Sequence, residues 1–303
     1  MRPRRAAASA ALALAAALAA TPARAGVLRA CDRGLQPSAV QQDRLLRFAA
    51  LLRATLEAAD TPVALVARSG TDLRRIGQRY SHAGLSLRDS PNTPWSVRQL
   101  YFACEEQRPR LFDQGLAGFV LGADDLDQGH VSLVLLPPEA AEPLARSALD
   151  TPQALALLHP RYSANAHAWS LRYQNCNQWV AELMARAWGD DSARSDSAPR
   201  AAAQHWLAAQ GYQPSTVQVG ALFGLSLFMP WVHNDDHPEA DLARTQYRVS
   251  LPESLEAFAR ARWPAAQRVE LCRTPTHMVL HRGWTPLAEG CEAGPGDQRI
   301  PLD

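Results

Sequence analysis

Lysine is absent from the sequence, and its 31 basic residues other than histidine are all arginines. Chemistry that needs a lysine is therefore excluded, namely Schiff-base formation, a Ser–Lys dyad and a phosphate-binding P-loop. Long apolar runs are also absent after residue 25, so no later stretch is predicted to span a bilayer. The sequence contains no internal repeat either.

The first 25 residues have the three parts of a secretory signal peptide. Arginines precede an alanine- and leucine-rich run over residues 6–20, and Ala23-Arg24-Ala25 stands before Gly26. This run is shorter than the roughly 18 residues of a spanning helix, so we expect cleavage after Ala25 and a periplasmic or secreted protein. Cleavage removes four arginines and no acid, which leaves 31 − 4 = 27 basic and 30 acidic residues. This slightly acidic balance argues against a nucleic-acid partner.

Five cysteines are present, an odd number, so at least one of them has no intramolecular partner. Cys272 and Cys291 flank a segment rich in proline and glycine, Cys31 lies near the expected mature start, and Cys104 follows a predicted strand. We predict the disulfides Cys31–Cys104 and Cys272–Cys291, with Cys176 left as a free thiol. The sequence allows other connectivities.

Apolar periodicity predicts a mixture of helices and strands. Helices are expected over residues 38–59 and 139–149, and strands over 63–68, 80–88, 95–102 and 130–136. Within the second strand, alternation places His82, Gly84 and Ser86 on one face. A turn at 89–92 then brings the third strand alongside it, antiparallel, and makes Gln99 the best-placed polar partner for His82.

The motif around Cys176 predicts a thiol at the start of a helix. Apolar residues recur at helical spacing from Trp179, Asn175 is a favoured N-cap, and Gly189 is placed to end the helix. Unpaired backbone N–H groups and the helix dipole at this position favour a thiolate over a thiol. A buried, unreactive cysteine is the alternative for a single cysteine of this kind.

The remaining chain is predicted to complete the same domain, so that residues 26–303 form one α+β unit. Residues 190–200 are polar and without periodicity, which indicates a loop. The extension over 201–303 is expected to contain helices at 201–210 and 254–262 and strands at 215–219 and 245–250. In the connector before Cys176, Tyr162 and Trp169 are candidates for the rim of a cleft, together with Tyr80 and Gln178.

A short run near residue 235 gathers imidazoles and carboxylates. Its possible metal donors are His233, Asp235, Asp236 and His237. One local cluster, without a helical repeat or a distant ligand, more often reflects turn hydrogen bonds made by the aspartates. We therefore predict no metal site and no cofactor.

Three motifs carry a resemblance to known families. They are Tyr-Ser-His-Ala-Gly at residues 80–84, Tyr-Gln-Asn-Cys-Asn-Gln-Trp at 173–179 and Asp-Asp-His-Pro at 235–238. The order of a histidine-bearing strand followed by an Asn-Cys helix start resembles circularly permuted NlpC-type, papain-like thiol hydrolases, which include lecithin–retinol acyltransferase-like enzymes. Residues 28–260 also resemble an exported bacterial family of unknown function in which serine or cysteine occupies the position of Cys176.

The first resemblance implies a papain-like α+β fold with Cys176 as nucleophile and His82 as general base. Gln99 would orient the imidazole, and N–H groups near Asn175 would stabilise an oxyanion. The implied substrate is an amide or ester in the cell envelope, such as a cell-wall peptide or an acyl lipid. The alternative function is a catalytically inactive envelope module that keeps the cleft to bind a peptide or lipid.

Overall fold

An antiparallel sheet of eight strands organises the chain. The computed structural model describes residues 36–123, 125–220, 229 and 231–302. The strands are β1 (Val63–Arg68), β2 (His82–Leu87), β3 (Ser96–Ala103), β4 (Arg108–Gln114), β5 (Gly129–Leu135), β6 (Ser215–Gln218), β7 (Gln246–Val249), β8 (Gln267–Arg273), β9 (His277–Arg282) and β10 (Gln298–Pro301). Their order in the large sheet is β10-β9-β8-β5-β1-β2-β3-β4, and β6 pairs with β7 separately. All the strand pairs are antiparallel.

Helices connect the strands and cover the large sheet. They are α1 (Ala39–Glu57), α2 (Leu116–Leu121), α3 (Pro138–Leu149), α4 (Thr151–Ala156), α5 (Cys176–Trp188), α6 (Pro199–Ala209), α7 (Glu239–Leu242) and α8 (Pro252–Arg262). Ser38 begins α1 with a capping box, in which its hydroxyl accepts from the backbone N–H of Gln41 at 3.3 Å. None of the helices among the described residues combines the length and the apolar character needed to cross a membrane.

One face of the sheet, here called the α5 face, packs against α3 and α5. Leu65, Ala83 and Leu85 of the sheet share a buried cluster with Trp179 and Leu183 of α5. Each of these side chains is almost fully buried. Burial of a leucine side chain contributes about 1.5–3 kcal/mol, so this cluster fixes the helix on the sheet.

The opposite face, here called the α2 face, packs against α1 and α2. Val66 and Val97 share its cluster with Leu52 of α1 and Phe119 of α2. Because helices cover both faces, β1 is buried along its whole length and its sequence is almost continuously apolar. Successive residues of β2 point to opposite faces of the sheet, so His82 and its neighbour Ala83 lie on different faces.

Most of the predicted elements are present with bounds that differ by only a few residues. The prediction was incomplete, since it contained none of β4, α2, α4 and α7 and no strand after residue 250. The structure corrects this: β8, β9 and β10 supply three of the eight strands of the large sheet. In β8 the charged residues Arg268 and Glu270 alternate with apolar ones, and both are buried in ion pairs, which hides the apolar signal of the strand.

The cysteines bear out part of the predicted pairing. Cys272 and Cys291 form a disulfide, and Cys176 is a free, buried thiol. Cys104 is disulfide-bonded as well. Its predicted partner Cys31 lies outside the described residues, as does the predicted signal peptide over 1–25, so that pairing and the cleavage stay predictions.

Candidate active site

The helix start at Cys176 has the predicted form. Asn175 is the N-cap of α5, and its side-chain oxygen accepts from the backbone N–H of Gln178 at 2.7 Å. Cys176 is the first helical residue, and Gly189 follows the last. The thiol therefore lies where α5 leaves its first N–H groups without partners inside the helix.

The side-chain amides of three residues around Cys176 donate hydrogen bonds to three different parts of the chain. Gln174 donates to the carbonyl of Leu157 at 2.9 Å, and Asn175 donates to that of Ser250 at 3.3 Å. After the cysteine, Gln178 donates to the carbonyl of Ala168 at 3.1 Å and so fixes the connector before the helix. These bonds tie the thiol-bearing turn to the end of α4, to the segment before α8 and to the connector.

Asn177 makes the bonds that place this turn beside β2. Its side-chain oxygen accepts from the backbone N–H of Ala83 at 2.9 Å, and its side-chain nitrogen donates to the carbonyl of Ser81 at 3.2 Å. Ser81 and Ala83 are the two neighbours of His82 in the chain. The residue after Cys176 therefore clamps the backbone on both sides of His82.

His82 is held by Gln99, the contact that the sequence predicts. Imidazole Nε2 lies 2.5 Å from Gln99 Oε1, and Gln99 Nε2 donates to Gln114 Oε1 at 2.6 Å. With this amide orientation, Gln99 Oε1 accepts a proton from Nε2, so the lone pair of the imidazole is on Nδ1. Nδ1 has no hydrogen bond to any described residue. Burial, followed by the positive charge of Arg68, lowers the pKa of His82 to about 3.

The expected thiolate is not the resting form of Cys176. Burial raises the pKa of the thiol from 9.0 to about 11, because the charged form loses its hydration. The charge of Arg68, the N–H groups of Asn177 and Cys176, and the hydroxyl of Tyr162 act in the opposite direction but are outweighed. The helix start does favour the thiolate as predicted, but the low exposure of the residue, 7%, decides the direction of the pKa shift.

The thiol and the imidazole are not hydrogen-bonded to each other. Cys176 belongs to the cluster of the α5 face. His82 lies across from Arg68 in the β1–β2 register, and its ring centroid is 6.1 Å from that of Phe119, on the α2 face. Among the described residues no hydrogen bond links the two side chains. The structure therefore joins His82 to Gln99, and Asn177 to the backbone around His82, but it does not join the thiol to the imidazole.

One family model matches residues 55–259, and its description is "Uncharacterized protein conserved in bacteria (DUF2145)". The chain belongs to the DUF2145 family. No curated protein and no solved structure matches the chain. The matched range contains both the His82 strand and the Cys176 helix.

The other predicted cleft residues of this DUF2145 protein lie in different surroundings. Tyr162 stacks on Phe102 with ring centroids 5.1 Å apart, and its hydroxyl acts on the thiol. Trp169 packs edge-on against Tyr212 at 5.9 Å. Tyr80 instead donates to Glu270 at 2.5 Å inside a charged network. Of these three side chains, Tyr162 is therefore the one that interacts with the Cys176 thiol itself.

Residues 233–237, which include two histidines and two aspartates, make contacts between loops. Asp236 accepts from the backbone N–H of His167 at 3.0 Å, and Asp235 pairs with Arg172 at 2.7 Å. His233 stacks on Tyr173 with centroids 4.5 Å apart. Over the described ranges, no three residues of the types His, Cys, Asp and Glu are grouped to hold a metal ion.

Sequence reasoning missed two residues of this candidate site. Arg68 ends β1, influences the pKa of both His82 and Cys176, and stacks over Phe119 at 5.3 Å. Gln114 ends β4 and holds Gln99. The position of Arg68 at the end of an apolar strand was a signal in the sequence that could have identified it. Gln114 could not be identified in this way because β4 was not predicted.

Proposed function

We propose that this DUF2145 protein is a papain-like cysteine hydrolase or acyltransferase that acts on an amide or ester of the cell envelope. Cys176 is the nucleophile, His82 is the general base and later acid, and Gln99 orients the imidazole. The observation that carries the proposal is the clamp by Asn177. This side chain is bonded to both neighbours of His82 and follows Cys176 directly.

The proposed reaction begins from a neutral thiol and a neutral imidazole. Sγ of Cys176 attacks the substrate carbonyl while Nδ1 of His82 takes the thiol proton. The N–H groups of Cys176 and Asn177 already act on the sulfur, so they are placed to receive the oxyanion beside it. The tetrahedral intermediate expels the amine or alcohol with the proton from His82. Water, or an acceptor alcohol or amine, then takes the acyl group from the sulfur.

Proton transfer requires the thiol and Nδ1 to meet, and the resting arrangement keeps them apart. Both pKa shifts also disfavour a thiolate–imidazolium pair, since that of Cys176 is raised to about 11 and that of His82 is lowered to about 3. His82 is the first residue of β2 and points to the α2 face, whereas Cys176 lies on the α5 face, so we infer that substrate binding turns the imidazole around the start of β2 toward the sulfur. The proton then moves during attack rather than before it. This type of catalysis does not require a preformed ion pair.

The cellular setting supports an envelope substrate. The predicted signal peptide implies export, and the Cys272–Cys291 disulfide is compatible with an oxidising compartment. The helix-start cysteine and strand histidine also support a permuted NlpC-type fold for the α+β architecture. Cell-wall peptides and acyl lipids are the substrate classes that this fold implies, and the proposed chemistry needs no cofactor.

A non-catalytic envelope module is the second candidate. It is favoured by the absence of a thiol–imidazole hydrogen bond between two residues that the structure does describe. In that case the amides around Cys176 serve only to join loops, and the thiol fills space in the α5-face cluster. An acylation experiment separates the two candidates.

The test uses purified mature protein and p-nitrophenyl butyrate, with acylation followed by intact mass and peptide mapping. We expect a butyryl group on Cys176 in the wild type and none in Cys176→Ala. His82→Asn should acylate at least about a hundredfold more slowly, the usual contribution of a general base. His205→Asn, at an exposed histidine on α6, is the matched control and should react like the wild type.

Two outcomes would contradict the catalytic proposal. Butyrylation of Cys176 at an equal rate in His82→Asn would show that the imidazole is not the base. No acylation of a folded wild type by any activated ester would support the non-catalytic module. Circular dichroism and thermal unfolding of each variant show whether the fold is retained.

A further inference from the structure

A large polar cavity lies away from the residues of the proposed reaction. Its volume is about 1100 Å³, and its walls are the loop between β1 and β2, one side of α8, part of β8 and the segment 284–289. Its lining includes six acids and four arginines, namely Asp72, Asp125, Glu253, Glu256, Glu270, Glu289, Arg74, Arg79, Arg260 and Arg268. Four positive and six negative charges leave 4 − 6 = −2 in the cavity.

The floor of the cavity is a charge network in which Glu270 is fully occupied. One carboxylate oxygen of Glu270 accepts from Arg79 at 2.8 Å and Tyr80 at 2.5 Å. The other accepts from Arg268 at 2.9 Å and the backbone N–H of Leu287 at 2.7 Å. With four donors, Glu270 has its pKa lowered to about 2. It is a structural residue with no capacity left for a ligand.

Three buried side chains beside this network each have a polar atom without a hydrogen-bond partner among the described residues. Glu256, 7% exposed, accepts from Arg268 with Oε2 at 2.8 Å, while its Oε1 has no partner among the described residues. The hydroxyl of Ser132 lies near this carboxylate and lowers its pKa, but it makes no well-aligned hydrogen bond to any described residue. His130, 8% exposed, lines the cavity and has an unpaired Nε2. An unpaired buried polar atom is unfavourable, so each of these calls for a donor.

The wall on α8 places a second carboxylate next to Glu256. Glu253 and Glu256 are three residues apart, which puts them on the same side of the helix. Glu253 lies at the rim, and loss of hydration raises its pKa, as burial does for Glu256. Further along the same side, Arg260 is stacked over Trp284 at 4.9 Å. Glu253 forms no ion pair with a described residue, whereas Glu256 is paired with Arg268.

We propose that this cavity binds a small organic cation, with a protonated amine donating to Glu256 Oε1 and Glu253 and to the neutral imidazole of His130. An ammonium group has three donors and no acceptor, which matches unpaired oxygens and an unpaired ring nitrogen. A ligand with two amines balances the excess of two negative charges in the lining. This binding is independent of the proposed acyl chemistry, since neither Cys176 nor His82 lines the cavity.

The test is isothermal titration with three probes of the same length and different charge. These are 1,5-diaminopentane, pentane-1,5-diol and glutarate, each added to the mature wild type at pH 7.5 and low salt. We expect saturable heat with the diamine alone, weakened by added salt because the contacts are ionic. Equal binding of the diol, binding of glutarate, or no saturable heat with the diamine would each overturn the proposal.

Single substitutions test whether the diamine binds in this cavity. Glu256→Gln and Glu253→Gln should each weaken diamine binding about tenfold, the effect of losing a charged hydrogen-bond acceptor. Glu253→Gln alters only the rim and keeps the test usable if the buried variant does not fold. Glu139→Gln, at an exposed glutamate on α3, is the matched control and should bind like the wild type. Cys176→Ala should bind the diamine normally even if acylation is lost. Undiminished binding in Glu253→Gln and Glu256→Gln would refute this site.

Discussion

Alkylation of Cys176 as a function of pH tests whether the resting site holds a thiol or a thiolate. Burial raises the pKa of this thiol to about 11 from an ordinary 9.0. At pH 8 a group with a pKa of about 11 is about 0.1% ionised, compared with about 10% at the ordinary value. The folded protein should therefore hold about a hundredfold less thiolate than the unfolded chain at this pH. Only the thiolate reacts with iodoacetamide.

The assay follows modification of the Cys176 peptide by mass spectrometry between pH 6 and 10, without reduction so that the disulfides stay closed. We expect the rate to rise about tenfold per pH unit over this range, without a plateau. The unfolded protein in urea is the internal reference and should show a midpoint near 9. The midpoint is the useful quantity because limited access to a buried thiol slows the reaction at every pH and leaves the midpoint unchanged.

A midpoint below pH 8 in the folded protein would refute this reasoning. It would mean that a positive group outweighs the effect of burial, and His82 is the first candidate. The variant His82→Asn then gives the cause, since loss of an imidazolium partner would return the midpoint to a higher pH. In the arrangement described here, with no thiol–imidazole bond, His82→Asn should leave the profile unchanged.

Two further predictions concern stability. Cys272 and Cys291 are 19 residues apart, and replacing both by serine should lower the free energy of unfolding by about 3 kcal/mol. Urea unfolding measures this loss. An unchanged free energy would show that the loop is ordered without its disulfide. The second prediction concerns His82, which binds a proton below pH 6.5 in the unfolded chain but has a pKa of about 3 in the folded protein. Protonation therefore favours the unfolded chain, and the protein loses stability as the pH falls below 6.5. At pH 5 this loss in the free energy of unfolding is about 2 kcal/mol, and it should be absent in His82→Gln. If the stability of the wild type and of His82→Gln fell in parallel with pH, the lowered pKa of His82 would be contradicted.

The parts of the site that were predictable are those that depend on local periodicity. Alternation along β2 gave the face of His82, and the antiparallel pairing of β2 with β3 gave Gln99 as its neighbour. The glycine of the same motif has a clear reason too. A Cβ on Gly84 would lie 2.6 Å from Val97 Cγ1 and 3.1 Å from Gln99 Cβ, so only glycine lets β3 approach here.

What could not be predicted depends on tertiary burial. The alternating charges of β8 suggest an exposed segment, yet Arg268 and Glu270 are buried because they neutralise each other and Tyr80 and Arg79 complete the network. Similarly, a helix start lowers the pKa of a cysteine in isolation, but the sequence does not report how deeply the sheet and connector enclose Cys176. The sign of its pKa shift follows from that enclosure.

The amides around Cys176 do not by themselves indicate catalysis. Gln174, Asn175 and Gln178 have backbone partners in segments that must be joined for α5 to pack at all, and a binding module would need the same bonds. Asn177 differs because its two partners flank His82, so its bonds fix one particular histidine beside the cysteine turn. If these bonds served only to hold the fold together, the residue between Ser81 and Ala83 would not need to be a histidine. A general base and an oxyanion site require a neutral imidazole nitrogen and N–H groups beside the sulfur, and His82 Nδ1 and the N–H groups of Cys176 and Asn177 meet this requirement. Their occurrence together with this clamp favours the proposed enzyme over the binding module.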